Sequence, residues 1–427
     1  MKRIILLLTL TFVIFIAEAQ VLSVQQQATT INEVLTDRID NLLPKLMDES
    51  KIDCWLIISR EYNEDPILKT FLPAEWLSAR RTTMLVFYRD KKNNSLKSYA
   101  IARYQVGKRI QAAWNPEKEP NQWLALSKLI DSLNPNQIGL NTSMDYGHAD
   151  GLHHTEFNEL KDAMSPSQLK KIVSAEKLGV AWLETRTEKE MAFYPTLLAI
   201  SHQIIKEGFS NRAIQPNKTS TNDLVWWFRQ KVSDLGLSTW FHPSIEIQRR
   251  VSNEKDDIIR RGDLLHVDFG ISYLRLNSDV QEHAYVLLPN ETTAPAELVA
   301  AFNKTNRLQD ILTSNFKTGR TGNEILAASI QQAKTEGIQP SIYTHPIGFH
   351  GHAAGTTIGM WDMQQGVPGS GDYAMRPNTC YSIELNATHT ISGWNKPVRI
   401  ALEQNGCYNG SSFDYLDGRQ KTILLIQ

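Results

Sequence analysis

Cysteine is scarce in this chain: there are three in 427 residues, at Cys54, Cys380 and Cys407. That number and those spacings fit neither a zinc ribbon nor a disulfide-dense scaffold. A chain of this length buries enough apolar surface to fold without staples, so free or optional thiols are expected. Cys380 and Cys407 could nevertheless lie on neighbouring strands. Excess charge is lacking too: 45 basic against 46 acidic residues leave a net charge of -1, which argues against a nucleic-acid partner. No low-complexity tract or internal repeat is visible, and beyond residue 20 no apolar run approaches the roughly 18 residues of a membrane span.

The first twenty residues depart from this average. Lys2 and Arg3 precede an apolar run from Ile4 to Ile16, followed by Ala17-Glu18-Ala19. A basic start, an apolar stretch too short to span and a small-x-small site read as a cleavable signal peptide over 1–19. Export to a periplasmic or extracellular compartment follows as an expectation, with no stable membrane insertion after cleavage.

The length fits two domains. An amphipathic helix over 38–47 leads into the apolar strand Cys54-Trp55-Leu56-Ile57-Ile58, with further strands over 82–88 and 98–101, a helix over 123–133 and a short strand over 137–140. Strands alternating with helices predict an α/β domain with a partly parallel sheet over 20–175. Residues 177–209 read as helical with an interruption near Pro195, opening a second domain over 176–427. The fold class is α+β.

Two strand pairs in the second half carry acids. Leu264 to Gly270 and Ser278 to Val286 form a hairpin; a turn about Tyr273-Leu274 would set Asp268 directly opposite Asp279. Cys380 to Asn386 and Val398 to Gln404, turning about Gly393-Trp394, would set Glu384 opposite Glu403. Opposed residues have Cβ atoms about 4.5–5.5 Å apart, where carboxylates repel unless a proton or cation lies between them. Buried without compensation, four such groups would be costly, and divalent cations would remove the penalty. Between the pairs lies Thr344 to Gly355, with His345, His350 and His352 inside eight residues and small residues that leave room for close approach. An oxygen-rich site with one imidazole favours Mn²⁺, with Zn²⁺, Co²⁺ and Fe²⁺ also compatible. Such a site suits amide hydrolysis.

The ordered residues Asp268-Phe269-Gly270, Ser278-Asp279, Gly351-His352-x-x-Gly355, Ile383-Glu384 and Leu402-Glu403 resemble the ligands of the pita-bread metallopeptidases. That superfamily includes methionine aminopeptidase, prolidase, Xaa-Pro aminopeptidase and creatinase. The resemblance covers nearly all of the chain after the first twenty residues. It implies a creatinase-like N-terminal domain, a C-terminal pita-bread catalytic domain, two divalent metal ions, a bridging hydroxide nucleophile and a homodimer. The implied substrate is a peptide with proline at the second position, cut at its Xaa-Pro bond. By position, Asp268 would bind one metal, Asp279 and Glu403 would bridge, and His352 and Glu384 would complete the other, Glu384 also handling the nucleophile's proton. His345 fits the ligand position as an alternative to His352; with His352 preferred, His345 and His350 fall near the substrate. His242 is a further catalytic candidate.

The chain departs from the family at several points. Thr-Arg-Thr after the second Asp is Gln281-Glu282-His283, the His-Glu or His-Asp pair after Gly-His-x-x-Gly is replaced around Met360-Trp361-Asp362, and the Pro after the first Glu is Leu385. The histidine that precedes the first Asp has no close counterpart, since His242 lies 26 residues upstream. An aminopeptidase is the leading reading. A prolidase-like dipeptidase, a metal-free creatinase-like C–N hydrolase and a catalytically impaired peptide-binding protein are the others.

Overall fold

A computed structural model describes residues 21–250, 256–394 and 396–427. The expected signal peptide lies outside these residues. Among the described residues no helix is long and apolar enough to cross a membrane.

The chain enters on helix Val24–Asp37, whose capping box joins Ser23 and Gln26, and a short π-helical stretch, Arg38–Leu42, carries it into helix Leu43–Ser50. The helix predicted over 38–47 is thus the second half of a longer one. Six strands follow: β1 (Cys54–Arg60), β2 (Thr82–Asp90), β3 (Ser95–Ile101), β4 (Gln111–Ala112), β5 (Ile138–Leu140) and β6 (Ile172–Ser174). They form one sheet in the order β4-β3-β2-β1-β5-β6. The β1–β2 and β2–β3 pairs are antiparallel, while β1–β5 and β5–β6 are parallel.

Strand β1 shows why this sheet is covered on both faces. Cys54, Leu56 and Ile58 pack with Leu126 and Ile130 of helix Gln122–Leu133, whereas Trp55 and Ile57 pack with Phe71 and Trp182 on the other side. Alternation of period two along a wholly apolar strand requires two apolar neighbours.

The helical stretch that follows divides into Glu176–Glu184, Glu188–Met191 and Tyr194–Gly208, with Pro195 in the first turn of the last, where its missing N–H costs nothing. Beyond it come β7 (Ser238–Thr239), β8 (Ser244–Gln248), β9 (Leu264–Phe269), β10 (Ile271–Tyr273), β11 (Leu276–Asn277), β12 (Val280–Val286), β13 (Pro340–Ile342), β14 (His345–Pro346), β15 (Thr379–His389), β16 (Val398–Tyr408), β17 (Phe413–Tyr415) and β18 (Leu424–Ile426). The main sheet runs β13-β15-β16-β12-β9-β8, with β14 beside β15, β17 beside β16 and β18 beside β12. Helices Tyr194–Gly208 and Thr221–Asp234 cover the β9 side chains Leu265, Val267 and Phe269. Helices Ala296–Ser314 and Gly322–Thr335 cover Tyr381, Ile383 and Leu385 of β15. The intervening residues, the acids among them, therefore line the other face of the sheet.

Candidate metal centre

Strands β15 and β16 pair in the predicted register: Glu384 faces Glu403 and Cys380 faces Cys407. The two cysteines form a disulfide, contrary to the expectation of free thiols; direct opposition across a ladder brings their side chains within bonding reach. The first hairpin differs from its prediction. It turns at Leu274-Arg275, both left-handed (φ 51° and 68°), and this turn pairs Asp268 with Gln281 rather than with Asp279. A two-residue displacement keeps side chains on the same face, so Asp268 and Asp279 still meet diagonally.

Ligand atoms of Asp268, Asp279 and Glu403 lie within 4.8 Å of one another, as do those of His345, Glu384 and Glu403 and those of Asp279, His345 and His352. His345 is at the centre. Its Nε2 lies 3.7 Å from Asp279 Oδ2, 3.8 Å from Glu384 Oε2 and 3.5 Å from Glu403 Oε1. Its Nδ1 donates to Pro346 O at 2.9 Å, which leaves the Nε2 lone pair facing the carboxylates. His345 Nε2, Asp268 Oδ1 and Asp279 Oδ1 are buried with no hydrogen-bond partner. Burial, reinforced by the Glu403 charge, pushes the carboxyls of Asp268, Asp279 and Glu384 well above the usual carboxylate range. Orphaned oxygens, an orphaned imidazole nitrogen and mutually repelling acids fit a divalent cation, which would satisfy all three at once.

Hydrogen bonds fix the ligand-bearing side chains. Ser382 Oγ donates to Glu403 Oε1 at 2.6 Å. Asn405 Nδ2 donates to Ser382 Oγ and to Asp279 O, both at 2.8 Å, while its Oδ1 accepts from Asp279 N at 2.9 Å. Gln281 Nε2 donates to Glu384 Oε1 at 2.6 Å and Glu403 Oε2 at 2.8 Å. Ser382 and Asn405 were not picked out from the sequence; they share the period-two face of Glu384 and Glu403, which is the signal that points to them.

The other predicted site residues lie further out. His352 is exposed and joins only the Asp279–His345 cluster; its ring stands edge-on to His345, with centroids 4.8 Å apart, and 5.2 Å from Trp240. Trp240 fills the space over Gly351, where any Cβ would run into the indole. His350 stacks against His148 of the N-terminal half with centroids 4.1 Å apart, and burial lowers its pKa to about 3. His148 was not anticipated from sequence. His242 is not brought to the cluster: it is exposed, with Nδ1 3.1 Å from Arg229 Nη1 and its ring 5.5 Å from that of Trp226. Phe349 anchors the histidine segment between two guanidinium groups, Arg38 and Arg186, each 4.8 Å from its ring, and both arginines bond Glu190 at 2.7 Å.

Residues 196–405 match the model of metallopeptidase family M24, in keeping with the resemblance to the pita-bread metallopeptidases. The fold is shared with solved structures at low identity. An X-Pro aminopeptidase from Thermotoga maritima MSB8 aligns with a TM-score of 0.64 at 14% identity, covering 89% of this chain and 99% of that one. An Xaa-Pro dipeptidase from Bacillus anthracis aligns at 0.60 and 16% identity, covering 93% and 99%. The N-terminal domain of the FACT complex subunit SPT16 from chickpea (Cicer arietinum) aligns at 0.55 and 11% identity, covering 95% and 99%. A search of curated proteins finds no sequence match.

Proposed function

We propose that the protein is an exported, divalent-metal-dependent aminopeptidase that hydrolyses the N-terminal Xaa-Pro bond of peptides. The observation that carries this reading is the convergence of Asp279, Glu384 and Glu403 on the free Nε2 of His345, at 3.5–3.8 Å. In this reading His345, Asp279, Glu384 and Glu403 hold one cation; Asp268, Asp279 and Glu403 offer the second position. Mn²⁺ is the proposed metal because carboxylates outnumber imidazoles. Such cations, when bound, acidify a water and polarise the scissile carbonyl. The chain's own groups do the rest. Glu384, whose carboxyl burial favours in its protonated form, takes and returns the proton of the attacking water. His352, exposed beside Trp240, and His350, stacked on His148, lie on the side from which a peptide would approach.

Residues 20–175 are taken as the N-terminal domain and 176–427 as the catalytic one, acting as a homodimer. Export is supported by the basic-apolar-small pattern over 1–19 and by the Cys380–Cys407 disulfide, which an oxidising compartment preserves. The test is release of the first residue from Xaa-Pro-Yaa peptides by Mn²⁺-loaded protein, set against Xaa-Pro dipeptides. Turnover of dipeptides alone would make it a prolidase-like dipeptidase, and Mn²⁺ binding with no turnover of either would make it a binding protein.

A further inference from the structure

The position two residues after Asp279 holds Gln281, a long amide in the floor of the carboxylate cluster. It is 2% exposed, and its amide oxygen and both amide protons are engaged. Its Oε1 lies 2.9 Å from His266 Nε2, and as Oε1 can only accept, His266 must donate from Nε2. His266 thereby sets which end of the amide faces the acids. The amide nitrogen then gives both of its protons away, one to Glu384 Oε1 at 2.6 Å and one to Glu403 Oε2 at 2.8 Å. Each acid has one oxygen that the amide does not engage; that of Glu403, Oε1, also accepts from Ser382 Oγ at 2.6 Å. Those two, Glu384 Oε2 and Glu403 Oε1, are the oxygens that point at His345 Nε2.

The consequence falls unequally on the two cation positions. A carboxylate that bridges two cations through separate oxygens offers one to each; Glu403 Oε1 faces His345 and accepts from the Ser382 hydroxyl, which can turn to Asp279 O, whereas Glu403 Oε2 is engaged by the Gln281 amide that His266 holds in place. Around Asp268 this leaves Asp268 and Asp279 as free anionic donors, with Glu403 available only if the amide lets go. Resting on the metal-site reading above, we infer that Gln281, oriented by His266, is an occupancy-limiting residue: the site takes one cation tightly at His345, and Gln281 competes with a second cation for Glu403. Gln281 is then a positioning residue that acts through the two glutamates.

Metal-free protein titrated calorimetrically with Mn²⁺, with bound metal counted independently by native mass spectrometry, tests this. Wild type is expected to bind one Mn²⁺ per chain tightly and a second only weakly. Gln281→Ala should tighten the second equivalent by about ten- to hundredfold, the scale of one hydrogen bond to a charged group. His266→Phe, which leaves Gln281 in place but frees its amide to turn, should move the second equivalent in the same direction; it serves if the alanine variant fails to fold. Two equivalents of equal affinity in wild type, unchanged by either substitution, would overturn the inference and leave the metal-site reading intact. Weaker first-equivalent binding in Gln281→Ala would also overturn it, because Gln281 would then be a ligand rather than a competitor. No Mn²⁺ binding to wild type would instead remove the metal-site reading itself.

Discussion

Glu384 stands directly opposite Glu403 across the β15–β16 ladder, and the side chains that donate hydrogen bonds to the two carboxylates, Gln281 and Ser382, are neutral. The pair is therefore a source of destabilisation in metal-free protein. Asp268, Asp279 and Glu384 are all pushed up by burial first and the Glu403 charge second. A carboxyl held above its unfolded value stabilises the fold while protonated. That contribution is complete below the ordinary carboxylate range and is lost as pH rises through the elevated values. Metal-free protein should lose thermal stability as pH rises above the ordinary carboxylate range, and Mn²⁺ should restore it at pH 8. Glu403→Gln should raise the metal-free melting temperature at pH 8, a gain of about 1–2 kcal/mol, and abolish the Mn²⁺-dependent rise. Melting curves in chelator and in Mn²⁺ give both readings.

The two histidines seven residues apart have separable roles. His345 presents Nε2 to three carboxylates, whereas His352 is exposed and meets the cluster only beside Asp279 and His345. His345→Ala should weaken Mn²⁺ binding by more than about 100-fold, beyond the usual range for a supporting residue. His352→Ala should keep the first Mn²⁺ within a few-fold of wild type and lose turnover of Xaa-Pro-Yaa peptides. Equilibrium dialysis paired with peptide kinetics separates the two, and the opposite pattern would make His352 the ligand.

Much of this arrangement was legible in the sequence, and the parts that were not have physical causes. The β15–β16 register follows from two unbroken alternating strands, so Glu384 and Glu403 could be paired by arithmetic. The β9–β12 register could not, because Leu274-Arg275 adopts a left-handed turn without the Asn or Gly that usually announces one. Only the fold distinguishes His345 from His352, since both suit the spacing and the difference lies in a two-residue strand, β14, that pairs with β15. Gln281 was visible as a departure from the family. Its partner His266 was not singled out, although the register expected from sequence would set the two directly opposite; in the structure His266 pairs with His283 and reaches Gln281 diagonally. His148 comes from a short 3₁₀ turn in the other half of the chain, which no local pattern connects to the site.

The Cys380–Cys407 disulfide closes a segment of 27 residues that carries the Glu384–Glu403 pair four positions in on each strand. Constraining the unfolded chain over such a loop contributes about 3 kcal/mol. Cys380→Ser, or reduction of the native protein, should lower the melting temperature in chelator and in Mn²⁺ alike. Free-thiol titration of unreduced, denatured protein should find one thiol, Cys54. Three thiols would show that the disulfide does not form in the protein as produced.

A second buried acid, away from the carboxylate cluster, predicts a different pH response. Glu184 lies in helix Glu176–Glu184 with a fully buried side chain; Tyr373 donates to its Oε1 at 3.0 Å, Arg376 Nε lies 3.5 Å from that oxygen, and Oε2 has no partner. Gly355 leaves the space Oε2 occupies, since a Cβ there would come within 2.6 Å of it. Burial raises the Glu184 carboxyl to about 8, against a pull downward from Arg376 and from the Tyr373 hydrogen bond. Its stabilising effect is thus complete below the ordinary glutamate value and fades as pH climbs through about 8. Glu184→Gln keeps an acceptor for Tyr373 and removes the charge. The variant should match wild type within about 1 kcal/mol at pH 5 and exceed it by roughly 2–4 kcal/mol at pH 9. Thermal melts of both proteins at the two pH values decide it: an equal gap at pH 5 and pH 9 would mean that Glu184 is ionised throughout, held by Arg376.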